Sequence, residues 1–183
     1  MNAKEAEALN TSLTASEVLS TGARRLSASL DSFSGWLLAG FGVTYGLLLA
    51  NIGSLTPYLS ISNVKSGAVC FLVAACFGAA QKLIAAYVAA GTAAADDGRV
   101  SGKELAKKDI QLNVESMYNQ VNQGLLWPWR NFNTSMTDKA RAGDYAVIGR
   151  FHAKASQIQC YLVVLQALAS LVSAALLVGG IAI

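Results

Sequence analysis

Charge is what this 183-residue chain has least of, and it is missing in blocks. No Asp, Glu, Lys or Arg lies between Asp31 and Lys65, only Lys82 lies between Ser66 and Ala95, and none follows Lys154. Charged residues make up 14% of the chain, against roughly a quarter in an average soluble domain. Nearly all the charge sits in the first 31 residues and between Asp96 and Lys154. Histidine is almost absent: His152 stands alone, with no further ligands at metal-binding spacing, so no metal site is expected. It reads as an exposed or interfacial helix residue. The three cysteines, Cys70, Cys76 and Cys160, lie in apolar stretches, form no C-x-x-C pair and are odd in number, which excludes a disulfide framework. They read as small apolar residues of packed helices.

Other absences exclude whole classes of chemistry. There is no G-x-x-x-x-G-K-[ST] loop and no G-x-G-x-x-G following a strand. Gly40-x-Gly42 falls inside an apolar stretch, where glycine serves packing. Asp96-Asp97 places two carboxylates side by side, where they diverge, and reads as a solvated turn. No catalytic constellation remains, so the chain is read as a non-enzyme with no cofactor. The net charge of +3 is spread without a basic run, which gives no strong nucleic-acid signal. The first 31 residues carry Glu5, Glu7 and Glu17 and no early apolar run, unlike a secretory signal. The first spanning helix would then direct insertion.

What is present is a set of long apolar stretches. About 20 helical residues, rising ~1.5 Å each, cross the ~30 Å hydrocarbon layer. The fold class is therefore all-α, an integral membrane helical bundle with about three transmembrane helices, an N-terminal amphipathic helix and a cytoplasmic helical module. Residues 1–33 form the amphipathic helix, with Leu9, Leu13, Leu19, Ala23, Leu26, Leu30 and Phe33 recurring at intervals of three or four. Ser16 fills the one gap in that stripe. The polar face lacks the dense Lys/Arg of a lipid-surface helix, so packing against the chain's own helices is favoured.

Residues 34–92 form a transmembrane hairpin, with spans over 34–52 and 64–91. Thr56-Pro57 breaks the chain between them. Residues 93–154 form the cytoplasmic module. It opens on a polar turn at Ala94–Arg99, and Ser101-Gly-Lys-Glu104 has capping-box spacing. A helix from Gly102 to Asn122 follows, with Leu105, Ile110, Leu112, Met117 and Val121 as its apolar residues. A further helix, from about Thr137 to His152 with its N-cap in Asn133–Thr137, runs toward the third transmembrane helix. That helix occupies residues 155–183, with its core over 158–180.

Several residues stand out for function. Gly42-x-x-x-Gly46 is a small-residue pair one turn apart, suited to close helix contact in lipid. Ala75 and Gly78 share a small-residue face with Lys82. Polar groups are costly in lipid and face protein or water. Lys82, Gln81, Asn51 and Gln166 are such groups, either lining a pore or forming interhelical hydrogen bonds, with Lys82 snorkelling toward headgroups. Trp36, Trp127 and Trp129 are candidate interfacial anchors. For the Trp127-Pro128-Trp129 pair, closure of a small soluble core is an equal alternative.

The Lys/Arg bias predicts a cytoplasmic N-terminus and a C-terminus on the outer side, with residues 93–154 inside. A bacterial inner membrane fits the Ala-rich composition. With few spans and no repeat, a conducting path would need several copies. The first functional expectation is a homo-oligomeric channel or pore-forming effector with a cytoplasmic regulatory module. The alternative is a non-conducting, membrane-anchored accessory protein whose cytoplasmic helices bind a protein partner. The layout is similar to that of two- and three-span pore-forming effectors of bacterial defence systems, in architecture alone.

Overall fold

The computed structural model describes residues 3–55, 57–108 and 113–181, apart from the side chains of residues 106 and 114. Thr56, Ile110 and Leu112, which carried parts of the reading above, lie outside the described residues. Among the described residues six helices follow in order: α1 (Ala3–Ala50), α2 (Ile52–Leu55), α3 (Ile61–Lys107), α4 (Val114–Gln123), α5 (Trp129–Arg141) and α6 (Val147–Gly179). Among the described residues the one sheet-like feature is an isolated antiparallel bridge between Leu59 and Ile181. Helices α1, α3 and α6 are each long and apolar enough to cross a membrane.

Helix α1 joins the amphipathic segment and the first expected span without interruption, since no proline occurs before Pro57. It ends at Asn51, whose side-chain amide donates to Leu47 O at 2.8 Å and whose carbonyl accepts from Ser54 Oγ at 3.0 Å. Both carbonyls also accept backbone N–H groups, Leu47 O from Asn51 and Asn51 O from Ser54 and Leu55. At the start of α3, Ser60 O accepts from Val64 N at 3.0 Å.

Two expected boundaries are corrected. The polar turn at Ala94–Arg99 is helical, and Ser101 and Glu104 lie inside α3 rather than at a helix start. The reason is tertiary: Asp96 and Arg99 are held by ion pairs to Arg24 and Glu17 of α1. These tie α3 to α1 on both sides of Gly98, a poor helix former. The helix start falls instead at Asn113, whose side chain accepts from Ser116 N at 3.0 Å. The second correction concerns the helix expected over Thr137–His152. Helix α5 already begins at Trp129, and the chain breaks at Gly143, whose φ of +93° favours glycine. Helix α6 then starts at Val147.

The chain divides into two compact units. Unit 1 comprises residues 1–24 and 89–154, and unit 2 residues 25–88 and 155–183. In unit 1, α1 approaches α6 closely at Ser16, the residue that interrupts the leucine stripe. Ser16 Oγ accepts from Gly149 N at 3.2 Å. A Cβ on Gly149 would lie 2.5 Å from Ser16 O. Helices α4 and α5 pair through Asn133 Nδ2, which donates to Asn122 Oδ1 at 2.7 Å. The Phe132 and Phe151 rings pack 4.6 Å apart, and Arg141 reaches Glu115 at 3.0 Å.

Unit 2 contains only Arg25, Asp31, Lys65 and Lys82 as charged residues. Within it α1 and α6 run parallel, because Ser27 bonds Gln159 and Ser34 bonds Gln166. Helix α3 runs the other way, with Gly67 at Ser173 and Gln81 at Gln159. From Ser156 onward the buried positions on α6 are Ser156, Gln159, Val163, Gln166, Ser170 and Ser173, the three–four spacing of a coiled-coil seam. Apolar residues usually fill such a seam. Here serines and glutamines fill most of it.

Candidate functional site

The seam of unit 2 is the most distinctive arrangement in the molecule. Gln166 uses both ends of its amide on one residue of α1: its Oε1 accepts from Ser34 Oγ at 2.7 Å and its Nε2 donates to Ser34 O at 3.2 Å. Seven residues earlier on α6, Gln159 Nε2 donates to Ser27 O at 3.1 Å and to Gln81 Oε1 at 2.9 Å. Seven residues later, Ser173 Oγ lies 2.5 Å from Tyr45 Oη and donates to Gly67 O at 2.8 Å. The three helices are thus tied at three levels by amides and hydroxyls.

Beside the first level, Asp31 Oδ1 accepts from Lys82 Nζ at 2.8 Å and from Gln81 Nε2 at 3.2 Å. The Asp31–Lys82 pair is half-exposed. Gln159 Oε1 is buried and has no hydrogen-bond partner among the described residues, which costs ~1–3 kcal/mol if it stays dry.

The outward side of unit 2 has the opposite character. Trp36, Leu47, Leu72, Leu83, Leu171 and Val178 are each more than 60% exposed. Large side chains left in water forgo ~1.5–3 kcal/mol apiece relative to burial. Polar groups are inside and apolar groups outside, the inverse of a water-soluble bundle.

The residues singled out from sequence fall in different places. Gln81 and Gln166 are fully buried and face the seam. Lys82 pairs with Asp31. Asn51 is exposed and bonds its own helix. Gly78 is a true close contact, because a Cβ there would lie 2.7 Å from Leu38 Cδ1 and 3.3 Å from the Gln166 amide carbon. Ala75 is half-buried. A Cβ at Gly42 or Gly46 would meet nothing within 4 Å, so that pair faces away from its own chain. Trp36 is 78% exposed, Trp127 79% and Trp129 52%. The cysteines are thiols, and among the described residues no group of His, Cys, Asp or Glu could hold a metal ion.

Unit 1 holds a cleft of about 540 Å³, lined by Ser20, Arg24, Thr92, Asp96, Arg99 and Tyr118 among others. The Arg24–Asp96 pair, at 2.9 Å, and the Arg99–Glu17 pair span it between α1 and α3. Glu17 holds the Arg99 guanidinium above its ordinary pKa. At the cleft, Ser20 Oγ meets His152 Nδ1 at 3.1 Å. His152 is 3% exposed, which corrects the expectation of an exposed or interfacial residue. Two small residues make room for it: Ser20 on α1, and Gly91 on α3, where a Cβ would lie 2.7 Å from Nε2. Burial pushes the imidazole below its usual pKa.

Comparison with protein-family models, curated proteins and solved structures yields no match for this chain. Sequence reasoning had missed Ser27, Ser34, Tyr45, Gln159 and Ser173 as a group, and Asp31 as the partner of Lys82. The signal was there: Gln159, Gln166 and Ser173 are seven residues apart, as are Ser27 and Ser34.

Proposed function

We propose that this chain is an integral membrane protein in which each copy forms its own lipid-embedded three-helix anchor, and that its charged helical unit binds a protein partner in the cytoplasm. The observation that carries this reading is the placement of Gln81 and Gln166. Both are fully buried and hydrogen-bonded within one chain, so neither amide is presented to a pore between copies. The outward apolar residues fit acyl chains, where polar groups must be satisfied internally. From Asp31 to Asn51, α1 rises ~30 Å, the thickness of the hydrocarbon layer.

The expected orientation has the N-terminus and unit 1 in the cytoplasm and the C-terminus outside, in a bacterial inner membrane. The concentration of Lys and Arg in unit 1 supports this orientation. The parallel course of α1 and α6 and the reverse course of α3 agree with it.

A homo-oligomeric channel gated by the cytoplasmic helices is the second reading. In its favour, Gly42 and Gly46 lie open on α1, where close approach of a second copy in lipid would bury them. Reconstitution in vesicles separates the two. The anchor reading expects ion flux at the level of empty vesicles across all protein loadings. Flux that grows with loading, and that Gly42→Leu/Gly46→Leu removes, would establish the channel instead.

A further inference from the structure

Between Glu115 and Asp138 the only charged residue is Arg130. The end of α4, the turn and most of α5 lie in this stretch, and the hairpin they form has two faces. Its inner face is occupied by the Asn122–Asn133 bond, the Phe132–Phe151 ring contact and buried Thr137. On the outward side, Met117 and Val121 stand one turn apart on α4, 41% and 49% exposed. Beyond the end of α4, Leu126 is 82% exposed and Trp127 79%. Trp129 and exposed Arg130 follow.

A tryptophan buries 150–250 Å² when covered, so this tip, with Leu126 82% and Trp127 79% exposed, leaves a large apolar area open. We propose that the tip Leu126-Trp127-Pro128-Trp129-Arg130 docks into the headgroup layer of an anionic phospholipid bilayer. Indole suits that layer because its ring is apolar and its N–H is a donor. Arg130 supplies a planar donor for a lipid phosphate. No carboxylate within the stretch opposes an anionic surface. Met117 and Val121 extend the apolar side along α4, as in a helix lying in the interface. This inference rests on the membrane reading above.

The three tryptophans of the chain permit a test that separates the two claims. The full chain is reconstituted in vesicles of phosphatidylglycerol and phosphatidylcholine carrying bromine at either shallow or deep acyl positions. One variant keeps only Trp36 (Trp127→Phe/Trp129→Phe), and another keeps only Trp127 (Trp36→Phe/Trp129→Phe). Each tryptophan is more than half exposed, and phenylalanine keeps an apolar ring at each position. The expected result is quenching of Trp36 by brominated lipid, and quenching of Trp127 by shallow bromine more than by deep. Arg130→Gln should lower the docked fraction of Trp127 about fivefold in phosphatidylglycerol vesicles, since one cation near an anionic surface contributes about that factor. It should leave pure phosphatidylcholine vesicles unchanged.

If Trp36 is quenched while Trp127 answers only to aqueous iodide, the docking proposal is overturned and the membrane reading stands. If neither is quenched by lipid, both are overturned. Equal Trp127 quenching in the Arg130→Gln variant would overturn the role given to the cation.

Discussion

The two units of this chain are built from the same long helices, yet their interiors are unlike. In unit 1 the helices are joined by half-exposed ion pairs such as Arg24–Asp96 and Arg141–Glu115, around small contacts at Ser16 and Gly149. In unit 2 they are joined by buried amides and hydroxyls, and the large apolar side chains point away. On the proposed membrane reading, the difference follows from the surroundings of each unit. Water screens surface charges and rewards apolar burial. Hydrocarbon gives no hydrophobic drive between helices, so packing and interhelical hydrogen bonds hold them.

The largest effect should come from filling the close contact in unit 1. Gly149→Leu sets side-chain atoms against the Ser16 backbone and should cost about 3 kcal/mol or more. Gly42→Leu in unit 2 meets nothing in its own chain and should cost under ~0.5 kcal/mol. Thermal unfolding of the two variants in detergent measures both. Equal losses would mean that Gly42 is packed against another copy.

The seam comes next. Gln166→Leu leaves both the Ser34 hydroxyl and its carbonyl without their partner and should cost about 1–2 kcal/mol in detergent. Adding Ser34→Ala should recover part of that loss, because removing both partners of a buried bond is less harmful than removing one. If the double variant is worse than Gln166→Leu alone, the bond is not what holds that level.

Acid should act on unit 1 before unit 2. The His152 imidazole has a lower pKa in the folded chain than its ordinary value near 6.5. Between those two values the unfolded chain binds the extra proton. Stability from this group is therefore complete above the ordinary value and is lost as pH falls through the lower folded value. Hydrogen exchange should quicken in unit 1 over that window, and His152→Gln should flatten the response.

The smallest change is expected from Arg24→Ala. Its pair with Asp96 is half-exposed, so the loss should stay below ~1 kcal/mol and shrink further in high salt.

The comparison also explains what the sequence could reveal. Three long apolar helices were legible because charge is missing in blocks, and a block of that length has few structural meanings. The facing of α1 was not. Leu26 and Phe33 were read as an inward stripe, yet they are 43% and 51% exposed, while Ser27 and Ser34 are buried. The stripe rule assumes water outside; with lipid outside, the side to bury is the polar one. Helix ends in unit 1 were also obscured, because distant side chains decide them. Glu17 and Arg24 keep α3 helical past Gly98, which no local pattern near Gly98 announces. The pairing of Asp31 with Lys82 spans 51 positions and becomes visible once α1 and α3 are known to run antiparallel.

The central claim is that unit 2 keeps its polar face inward and its apolar face toward lipid. The most direct measurement is photolabelling in vesicles with a phospholipid that carries a carbene precursor on its acyl chain, followed by peptide mass analysis. The account predicts label on Trp36, Leu72, Leu83 and Leu171, and none on Gln81, Ser34, Gln159 or Gln166. Label concentrated on the glutamines and serines, or a chain that remains dissolved and unlabelled without lipid or detergent, would contradict it.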